Sequence, residues 1–245
     1  MWKLLTIGLC ICLAGRAQAQ LILEEDLEPR TAGTAFGAHI HSYGIGFDFY
    51  HFKQLQGRWE GVLFLSTGNI KDPKESRTKS LYNDQGGRDF IYDKRNYAYY
   101  LAGTYGLQTE LLKLNHYNKL SLRAGLGLGP VFGILKPYYL EVAVPVSTTQ
   151  AVVEIDQYDY RKYNFIDIVG RADYFVGLNR TQFVPGLRIK GHALLSLAGS
   201  TLYIRGVDMG FTADLYSRAL DILHRQSDRS AFFSLYLGFL IGNAW

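Results

Sequence analysis

The sequence predicts an all-β chain that folds as a closed antiparallel up-and-down transmembrane β-barrel of eight strands. Eight stretches alternate large apolar residues with small or polar ones, which is the period of a β-strand. The last stretch ends on an aromatic residue, Trp245. The connections between the stretches are alternately short and, with one exception, long. A strand that crosses a bilayer needs a paired neighbour on each side, so the predicted sheet must close on itself.

The first 19 residues are typical of a secretory signal peptide. A short basic start at Lys3 precedes an apolar run over Leu4–Ala14, and Ala17-Gln18-Ala19 is a small-x-small cleavage site. The alternative, a single helical anchor, is disfavoured because the run is shorter than the roughly 20 residues that a spanning helix needs. We expect a short periplasmic segment over residues 20–33 and the barrel over residues 34–245.

Composition supports an exported barrel and argues against several other classes of protein. Both cysteines, Cys10 and Cys12, lie in the predicted signal peptide, so a mature chain would have no thiol chemistry. The residues preceding each cysteine are bulky, which disfavours lipoprotein processing. The formal net charge of +4 would fall by two with the loss of Lys3 and Arg16, which does not indicate nucleic acid as a partner. The 18 Tyr, 14 Phe and 26 Gly suit strands with an apolar and a polar face.

The first four predicted strands show the alternation in order along the chain. In the second of them, Phe47 and Phe49 lie on one face and Asp48 and Tyr50 on the other. In the fourth, tyrosine and leucine alternate with polar residues. These strands are predicted at Ala35–His41, Gly44–Phe52, Arg58–Thr67 and Asn96–Leu111.

The last four strands repeat the pattern. The final one carries Phe239, Ile241 and Trp245 on its apolar face, with mostly small residues between them, and we interpret these three as a terminal assembly signal. The strands are predicted at Leu120–Ile134, Phe183–Leu197, Leu202–Tyr216 and Phe233–Trp245.

The connections sort by length. Those on the N-terminal side of the barrel, residues 54–57, 112–119 and 198–201, are short. Opposite them, residues 42–43 form a tight hairpin, but residues 68–95, 135–182 and 217–230 form long loops, as at the external side of outer-membrane barrels. A secreted lipocalin-like barrel would also alternate, with its apolar face inside. We favour the membrane barrel because the apolar face of all eight strands is nearly free of charge, with Arg205 as the clearest exception.

The chain resembles small outer-membrane β-barrel proteins of Gram-negative bacteria. The resemblance lies in the exported N-terminus, the eight alternating strands and the closing Phe239–Trp245, which matches the C-terminal signal that the barrel-assembly machinery reads in that family. The Tyr-rich strands and the stretch Gly133–Leu140 are similar to Bacteroidetes porin-like barrels. The resemblance implies an outer-membrane location, and it brings no catalytic motif.

The polar face of the strands carries charges of both signs that we expect inside the barrel. An eight-stranded barrel has room only for side chains, so these charges must neutralise one another. We favour a structural ion-pair network that fills the lumen, with Arg188 and Lys190 pairing with Asp208 and Asp214 of the next strand; the alternative is a gated polar path. The network is predicted to comprise Asp48, Arg58, Glu60, Glu110, Arg123, Arg188, Lys190, Asp208 and Asp214.

Neither a metal centre nor an active site is predicted. His39-x-His41 has the spacing of a metal-ligand pair, but His192 lies on a non-adjacent strand, so we favour interior histidines over a metal site. No nucleophile elbow or His-Glu-x-x-His motif occurs. Gly125, Gly127 and Gly129 lack the helix of a dinucleotide loop, and we expect them to leave room inside the barrel for bulky residues such as Tyr100. No cofactor is expected.

The long loops are the most informative surface. Basic residues in the second loop (Lys71, Lys74, Arg77, Lys79) and the fourth (Arg218, Arg225, Arg229) would pair with lipopolysaccharide phosphates or simply be solvated. The third loop is too aromatic for a disordered segment, so we expect a folded cap over the lumen or a surface for a protein partner. A short helix is predicted over residues 167–178. An aromatic surface is predicted at Tyr158, Tyr160, Tyr163, Phe165, Tyr174 and Phe175.

These observations predict a structural or binding component of the outer membrane rather than an enzyme, acting alone or as a subunit of a surface or secretion assembly. A narrow porin-like channel for small polar solutes is the alternative, and a lipid-modifying enzyme is less favoured. The strand count is open in one respect, because residues 140–146 and 151–155 would form either a hairpin beyond the membrane or two further barrel strands.

Overall fold

A computed structural model describes residues 31–82, 84, 87–114, 120–147, 150–159, 162–197, 203–224 and 229–245. The predicted signal peptide, Tyr160 and Arg225 lie outside these residues. No helix within these ranges is long and apolar enough to cross a bilayer.

The described residues form thirteen strands, and eight of these form one closed antiparallel barrel in the order β1-β2-β3-β6-β7-β11-β12-β13. The prediction of an eight-stranded barrel is therefore confirmed. The strands are β1 Ala32–His41, β2 Gly44–Gln54, β3 Trp59–Ile70, β4 Arg77–Thr78, β5 Phe90–Ile91, β6 Asn96–Leu114, β7 Leu120–Pro137, β8 Tyr139–Ser147, β9 Gln150–Gln157, β10 Ile168–Arg171, β11 Gln182–Leu197, β12 Tyr203–Leu220 and β13 Arg229–Ala244.

The two ends of the barrel sequence close the sheet. β1 pairs with β13 from Gly33 opposite Ala244 to His41 opposite Tyr236. The carbonyl of Trp245 accepts the N–H groups of Thr31 and Ala32, each at 2.9 Å. The first strand thus begins at Ala32, inside the segment 20–33 that the sequence predicts to precede the barrel.

The outer wall of the barrel is an apolar belt. Most outward side chains on the barrel strands are large, hydrophobic and exposed, as expected when alternate residues of a strand lie on opposite faces. The belt comprises Phe36, Ile40, Ile45, Phe47, Trp59, Leu65, Leu101, Tyr105, Leu107, Leu126, Leu128, Phe132, Phe183, Leu187, Ile189, Met209, Leu215, Phe233, Leu235, Leu237, Phe239 and Ile241.

The interior of the barrel is packed in layers. At the end that carries the long connections, hereafter the loop end, an apolar cluster includes Tyr100, Leu135, Tyr216 and Phe232. A second apolar cluster around Tyr50, Phe52 and Phe64 lies toward the opposite end, the turn end. Buried polar and charged side chains occupy the space between and beside these clusters.

The third long loop forms its own small sheet outside the barrel. β8, β9 and β10 form a three-stranded antiparallel sheet in the order β10-β8-β9. The hairpin predicted at residues 140–155 therefore exists, and it does not enlarge the barrel to ten strands. The helix predicted over residues 167–178 is wrong, because Ile168–Arg171 pairs with β8 and only two three-residue 3-10 helices, Phe165–Asp167 and Leu178–Arg180, flank that region.

The loop segments are tied to one another by backbone hydrogen bonds. Arg95 N–H donates to the Ile222 carbonyl at 2.9 Å, and Tyr138 N–H donates to the Arg95 carbonyl at 2.9 Å. His224 N–H donates to the Asp93 carbonyl at 3.0 Å. The second, third and fourth loops therefore form one interlocked cap at the loop end.

Candidate functional site

Seven of the nine charged residues predicted for the lumen are buried inside the barrel. They form the lumen network, defined here as Asp48, Glu60, Arg123, Arg188, Lys190, Asp208 and Asp214, each no more than 6% exposed. Glu110 is half-buried and lies opposite Arg123 in the β6–β7 ladder. Arg58 does not join them. It is exposed in the turn before β3, because the ladder with β2 and β6 begins only at Trp59–Glu60.

Arg188 and Asp214 form a bidentate pair across neighbouring strands. Arg188 Nε donates to Asp214 Oδ1 and Arg188 Nη2 to Asp214 Oδ2, each at 2.6 Å. The guanidinium also lies over the ring of Tyr100, 4.2 Å from its centroid. This geometry satisfies both charges, as a buried ion pair requires.

Lys190 pairs across the lumen with Asp48 and not with the neighbouring strand as predicted. Its Nζ lies 3.1 Å from Asp48 Oδ1 and 3.9 Å from the centroid of Phe64. The Ser66 hydroxyl also donates to Asp48 Oδ1, and His39 Nδ1 lies 2.8 Å from Oδ2. The Asp48 carboxylate therefore contacts partners on three other strands.

The remaining members of the lumen network have weaker ion pairs. Asp208 accepts the Tyr236 hydroxyl at 3.1 Å, and His192 Nδ1 lies 3.5 Å from its other oxygen. Near the turn end, Arg123 Nε lies 3.5 Å from Glu60 Oε2. The Asp208 contacts join neighbouring strands, whereas Arg123 of β7 and Glu60 of β3 come from strands separated by β6.

The interior histidines take part in this packing. His39 Nε2 is 3.0 Å from the Tyr100 hydroxyl, and the His192 ring packs edge-on against Phe64. No group of three or more His, Cys, Asp and Glu residues suitable for a metal ion occurs among the described residues. A cavity of about 20 Å³ lies among His41, Arg188 and Asp214. That volume holds about one water molecule.

The interior glycines make room for different residues than the sequence suggests. A Cβ on Gly46 or Gly68 would come within 2.6 to 2.7 Å of the Tyr100 hydroxyl. Gly125 instead faces Gln108 and His192. Tyr100 therefore occupies space left by β2 and β3, and not by the predicted glycine stripe of β7.

The predicted aromatic surface of the third loop is largely a core. Tyr158 is 2% exposed, and Tyr163 and Phe165 pack against it together with Phe90, Tyr138 and Leu140. Of the described members of that set, Tyr174 and Phe175 are the exposed ones, at 46% and 76%. A small sheet separated from the barrel must bury its own apolar side chains, which explains where the aromatic residues go.

A second site, which the sequence did not indicate, is a cleft of about 500 Å³ at the loop end. We call it the rim cleft. Its floor is the end of β3 and the start of β6, its second-loop wall spans residues 71–77, and its third-loop wall includes Tyr138, Arg171 and Tyr174. The volume lies in the range of small-molecule sites.

Tyrosines line the rim cleft. Tyr97 and Tyr99 occupy alternate positions of β6 that face outward, as does Leu101 of the belt. The Tyr99 and Tyr174 hydroxyls are 2.9 Å apart, and Tyr174 packs against Tyr97 with ring centroids 5.6 Å apart. The third loop therefore covers the outside of the barrel wall, and the cleft lies at the rim, where it adjoins the outer surface.

A buried ion pair lies at the side of the rim cleft. Lys94 Nζ is 2.7 Å from Glu75 Oε2, with side-chain exposures of 3% and 7%, and 4.6 Å from the Tyr97 ring centroid. Burial lowers the pKa of Lys94, and Glu75 opposes that shift. Burial also raises the pKa of Tyr138 to about 12, and the charges of Arg171 and Arg77 act in the opposite direction. Both arginines line the cleft together with Tyr138.

The rim cleft escaped prediction because it combines residues from three distant segments. The sequence singles out Arg77 as one of several basic loop residues, but nothing in it relates Arg77 to Arg171 or to Tyr97. The adjacent Tyr97 and Tyr99 at the end of an apolar strand face were the one available signal, since tyrosines mark membrane interfaces.

The chain has few detectable relatives. No protein-family model and no curated protein matches it. Among solved structures it is similar to Neisserial surface protein A (8% identity, TM-score 0.41, covering 87% of this chain and 96% of that one). It is also similar to Ail, the attachment invasion locus protein of Yersinia pestis (10%, 0.39, 88% and 99%), and to the N-terminal β-barrel domain of Pseudomonas aeruginosa OprF (7%, 0.37, 88% and 98%). Similarity at this level carries no argument about function.

Proposed function

We propose that the chain is an integral outer-membrane β-barrel with a closed lumen, and that it acts as a structural or binding component through its loop end. The observation that carries this proposal is the combination of an apolar belt outside with a packed, ion-paired interior. A barrel of this kind offers no surface for function except its two ends. The interlocked loops make the loop end the larger of the two.

The apolar belt supports a membrane location. Phe36, Ile40 and Leu235 are each more than 60% exposed, although a soluble barrel would bury its large apolar face. Monomeric soluble proteins rarely expose contiguous apolar patches larger than a few hundred Å². Lipid is the environment in which a belt around the whole barrel costs no free energy of hydration.

The packed interior supports a closed lumen. Tyr216 and Phe232 belong to the apolar cluster at the loop end, and Tyr50 and Phe52 to the cluster toward the turn end. The bidentate Arg188–Asp214 pair lies between them. A channel for polar solutes would need a continuous hydrated path, whereas the 20 Å³ cavity beside this pair holds about one water molecule.

We propose that the barrel is not an enzyme. His39, His41 and His192 lie inside the barrel and are engaged in its packing, away from any lipid substrate. The lipid-modifying alternative would need an activated nucleophile or general base at the rim. The rim cleft instead presents tyrosines, arginines and a paired Lys94–Glu75, which suit binding.

The location and partners follow from the sequence. We propose export through the signal peptide of residues 1–19 and insertion by the barrel-assembly machinery, which would read Phe239, Ile241 and Trp245; all three side chains are exposed on β13 or just after it. The proposed source is a Gram-negative bacterium, with a Bacteroidetes porin-like barrel as the finer hypothesis. Lipopolysaccharide and a protein partner at the loops, as in a surface or secretion assembly, are the proposed ligands.

Single-channel recording of the mature chain, refolded into planar bilayers, tests the closed lumen. We expect no steady conductance from protein whose folding is established by its heat-modifiable migration on gels. A steady conductance proportional to salt concentration would refute the closed lumen and favour the channel. Failure of the refolded chain to insert into vesicles would refute the membrane barrel itself.

A further inference from the structure

The rim cleft lies directly above the apolar belt on the outer wall. Asn69 of β3 and Tyr99 of β6 are paired and line the cleft, and the next outward pair on these strands is Thr67 with Leu101. Leu101 is 51% exposed and Leu65, one outward position further, is 48% exposed. Two residues of a strand span about 7 Å. A molecule in the cleft would therefore be within reach of the hydrocarbon that covers the belt.

Three cations that line the rim cleft, Lys71 and two arginines, form no salt bridge among the described residues. Neither Arg77 nor Arg171 forms a salt bridge to any carboxylate in the described ranges, and both are exposed. They come from different loops and line the same cleft as Tyr138. Of the two acids that line the cleft besides Glu75, Asp72 accepts the Lys74 N–H at 2.9 Å within its own turn; the other is Asp89.

A further cation lies behind the tyrosines of the rim cleft. Lys136 occupies a position of β7 that faces outward, but it is only 3% exposed. Its Nζ lies 4.4 Å from the Tyr174 ring centroid and 5.2 Å from that of Tyr97, and no carboxylate within the described part of the chain pairs with it. A buried ammonium held only by aromatic rings raises the positive potential of the adjoining cleft.

We propose that the rim cleft binds the phosphate of a lipid headgroup in the outer leaflet, with Arg77 and Arg171 as its ligands and the acyl chains on the belt at Leu65 and Leu101. Guanidinium groups bind phosphate oxygens through paired, charge-assisted hydrogen bonds. Tyrosines at the boundary between hydrocarbon and water suit the headgroup level. This inference rests on the proposed membrane location.

The position of the cleft favours a lipid over a free anion. A soluble phosphate would gain only the polar contacts, whereas a lipid would gain these and keep its chains against an apolar wall. A lipid phosphate and a free phosphate would be bound by the same guanidinium groups, and they differ in whether acyl chains contribute to binding. A test must therefore include both forms of phosphate.

Binding of bis-phosphorylated lipid A to the detergent-solubilised mature chain, followed by native mass spectrometry, is the experiment. The variant is Arg77→Gln/Arg171→Gln. The matched control is Lys74→Gln/Lys79→Gln, which removes the same charge from exposed second-loop positions outside the cleft lining. Fully dephosphorylated lipid A and inorganic phosphate are the comparison probes, and heat-modifiable migration verifies that each variant is folded.

We expect the arginine variant to bind phosphorylated lipid A at least about tenfold more weakly and the lysine control to stay within about twofold of the unmodified chain. Equal losses in both variants would overturn the proposal in favour of diffuse charge attraction. Equal binding of dephosphorylated lipid A would refute phosphate recognition. Competition by inorganic phosphate at equal concentration would assign the cleft to a soluble anion. Binding is measured in detergent, so these outcomes remain distinct from a failure to insert into vesicles.

Discussion

Single residues in the lumen depend on one another because charged side chains are buried there with their partners. Arg188 and Asp214 are 3% and 5% exposed and joined by two hydrogen bonds. A buried pair of this kind adds little net stability compared with apolar residues, but removal of one partner leaves a buried charge uncompensated. The network therefore constrains which substitutions the interior tolerates.

We predict that Arg188→Met lowers the free energy of unfolding by about 3–5 kcal/mol, because Asp214 loses its partner. The double variant Arg188→Met/Asp214→Leu should recover most of this loss. Urea unfolding of the vesicle-embedded protein, followed by tryptophan fluorescence, measures both. Arg58→Met is the control, since this exposed arginine should change stability by no more than about 0.5 kcal/mol. A single variant as stable as its double would contradict the assignment of this pair.

The residue scale also shows what the sequence alone can predict about the interior. The alternation of residues along each strand correctly separates inward charges such as Asp48 and Asp214 from the outward belt, because the period of a strand is two. This alternation does not show where strand pairing begins. Arg58, one residue before β3, was therefore wrongly predicted to face the lumen. It also does not identify partners across the lumen. Lys190, for example, pairs with Asp48 of a strand that is distant in sequence.

At the scale of single strands, close contact between β6 and β7 limits the size of inward residues. A Cβ on Gly129 would overlap the carbonyl oxygen of Gly103. A Cβ on Gly127, two residues earlier on the same face, would meet its nearest atom, the Tyr105 carbonyl oxygen, at 3.5 Å, an ordinary contact. The two positions look alike in sequence and differ only in the local approach of the neighbouring strand.

Gly129→Ala should therefore destabilise the barrel, and Gly127→Ala should not. We expect Gly129→Ala to lower the free energy of unfolding by about 1–3 kcal/mol, the usual cost of overpacking, and Gly127→Ala to change it by no more than about 0.5 kcal/mol. Urea midpoints measured side by side in the same vesicles test this. Equal midpoints for the two variants would mean that β6 moves away from β7 without cost.

The loop elements show where sequence patterns are insufficient. The apolar residues at 140–155 indicate a hairpin, but whether that hairpin joins the barrel depends on backbone pairing that the sequence does not specify. Residues 168–171 become strand β10 because β8 offers an open edge, with Arg171 opposite Leu140. Tertiary pairing overrides the local preference in such short segments. The rim cleft depends on this arrangement, because β10 brings Arg171 to the side of β6.

At the scale of the whole molecule, the barrel and the cap are separable in their roles. The apolar cluster that fills the lumen at the loop end includes Leu220, Ile222 and Leu223 from the end of β12 and the fourth loop. The third loop contributes no member to it among the described residues and packs instead on Tyr97, outside the wall. The sequence left open whether the third loop closes the lumen or presents a surface for a protein partner; the packing assigns closure to the barrel strands and the fourth loop.

Deletion of the third loop should leave a folded barrel that does not conduct ions. β7 and β11 are paired neighbours with Leu135 opposite Gln182, so a short turn replacing residues 138–180 can join them as a hairpin. We expect this variant to remain heat-modifiable and to show no steady conductance in planar bilayers, because the lumen packing is intact. It should also lose the preferential binding of phosphorylated lipid A, since Arg171 and Tyr174 are removed.

The fourth loop provides the matched comparison. Ile222→Ser/Leu223→Ser replaces two buried members of the apolar cluster at the loop end with polar side chains and leaves the third loop in place. This variant should admit water from the loop end while the Arg188–Asp214 layer still blocks ions. Steady conductance from the third-loop deletion but not from Ile222→Ser/Leu223→Ser would reverse the assignment and make the third loop the plug.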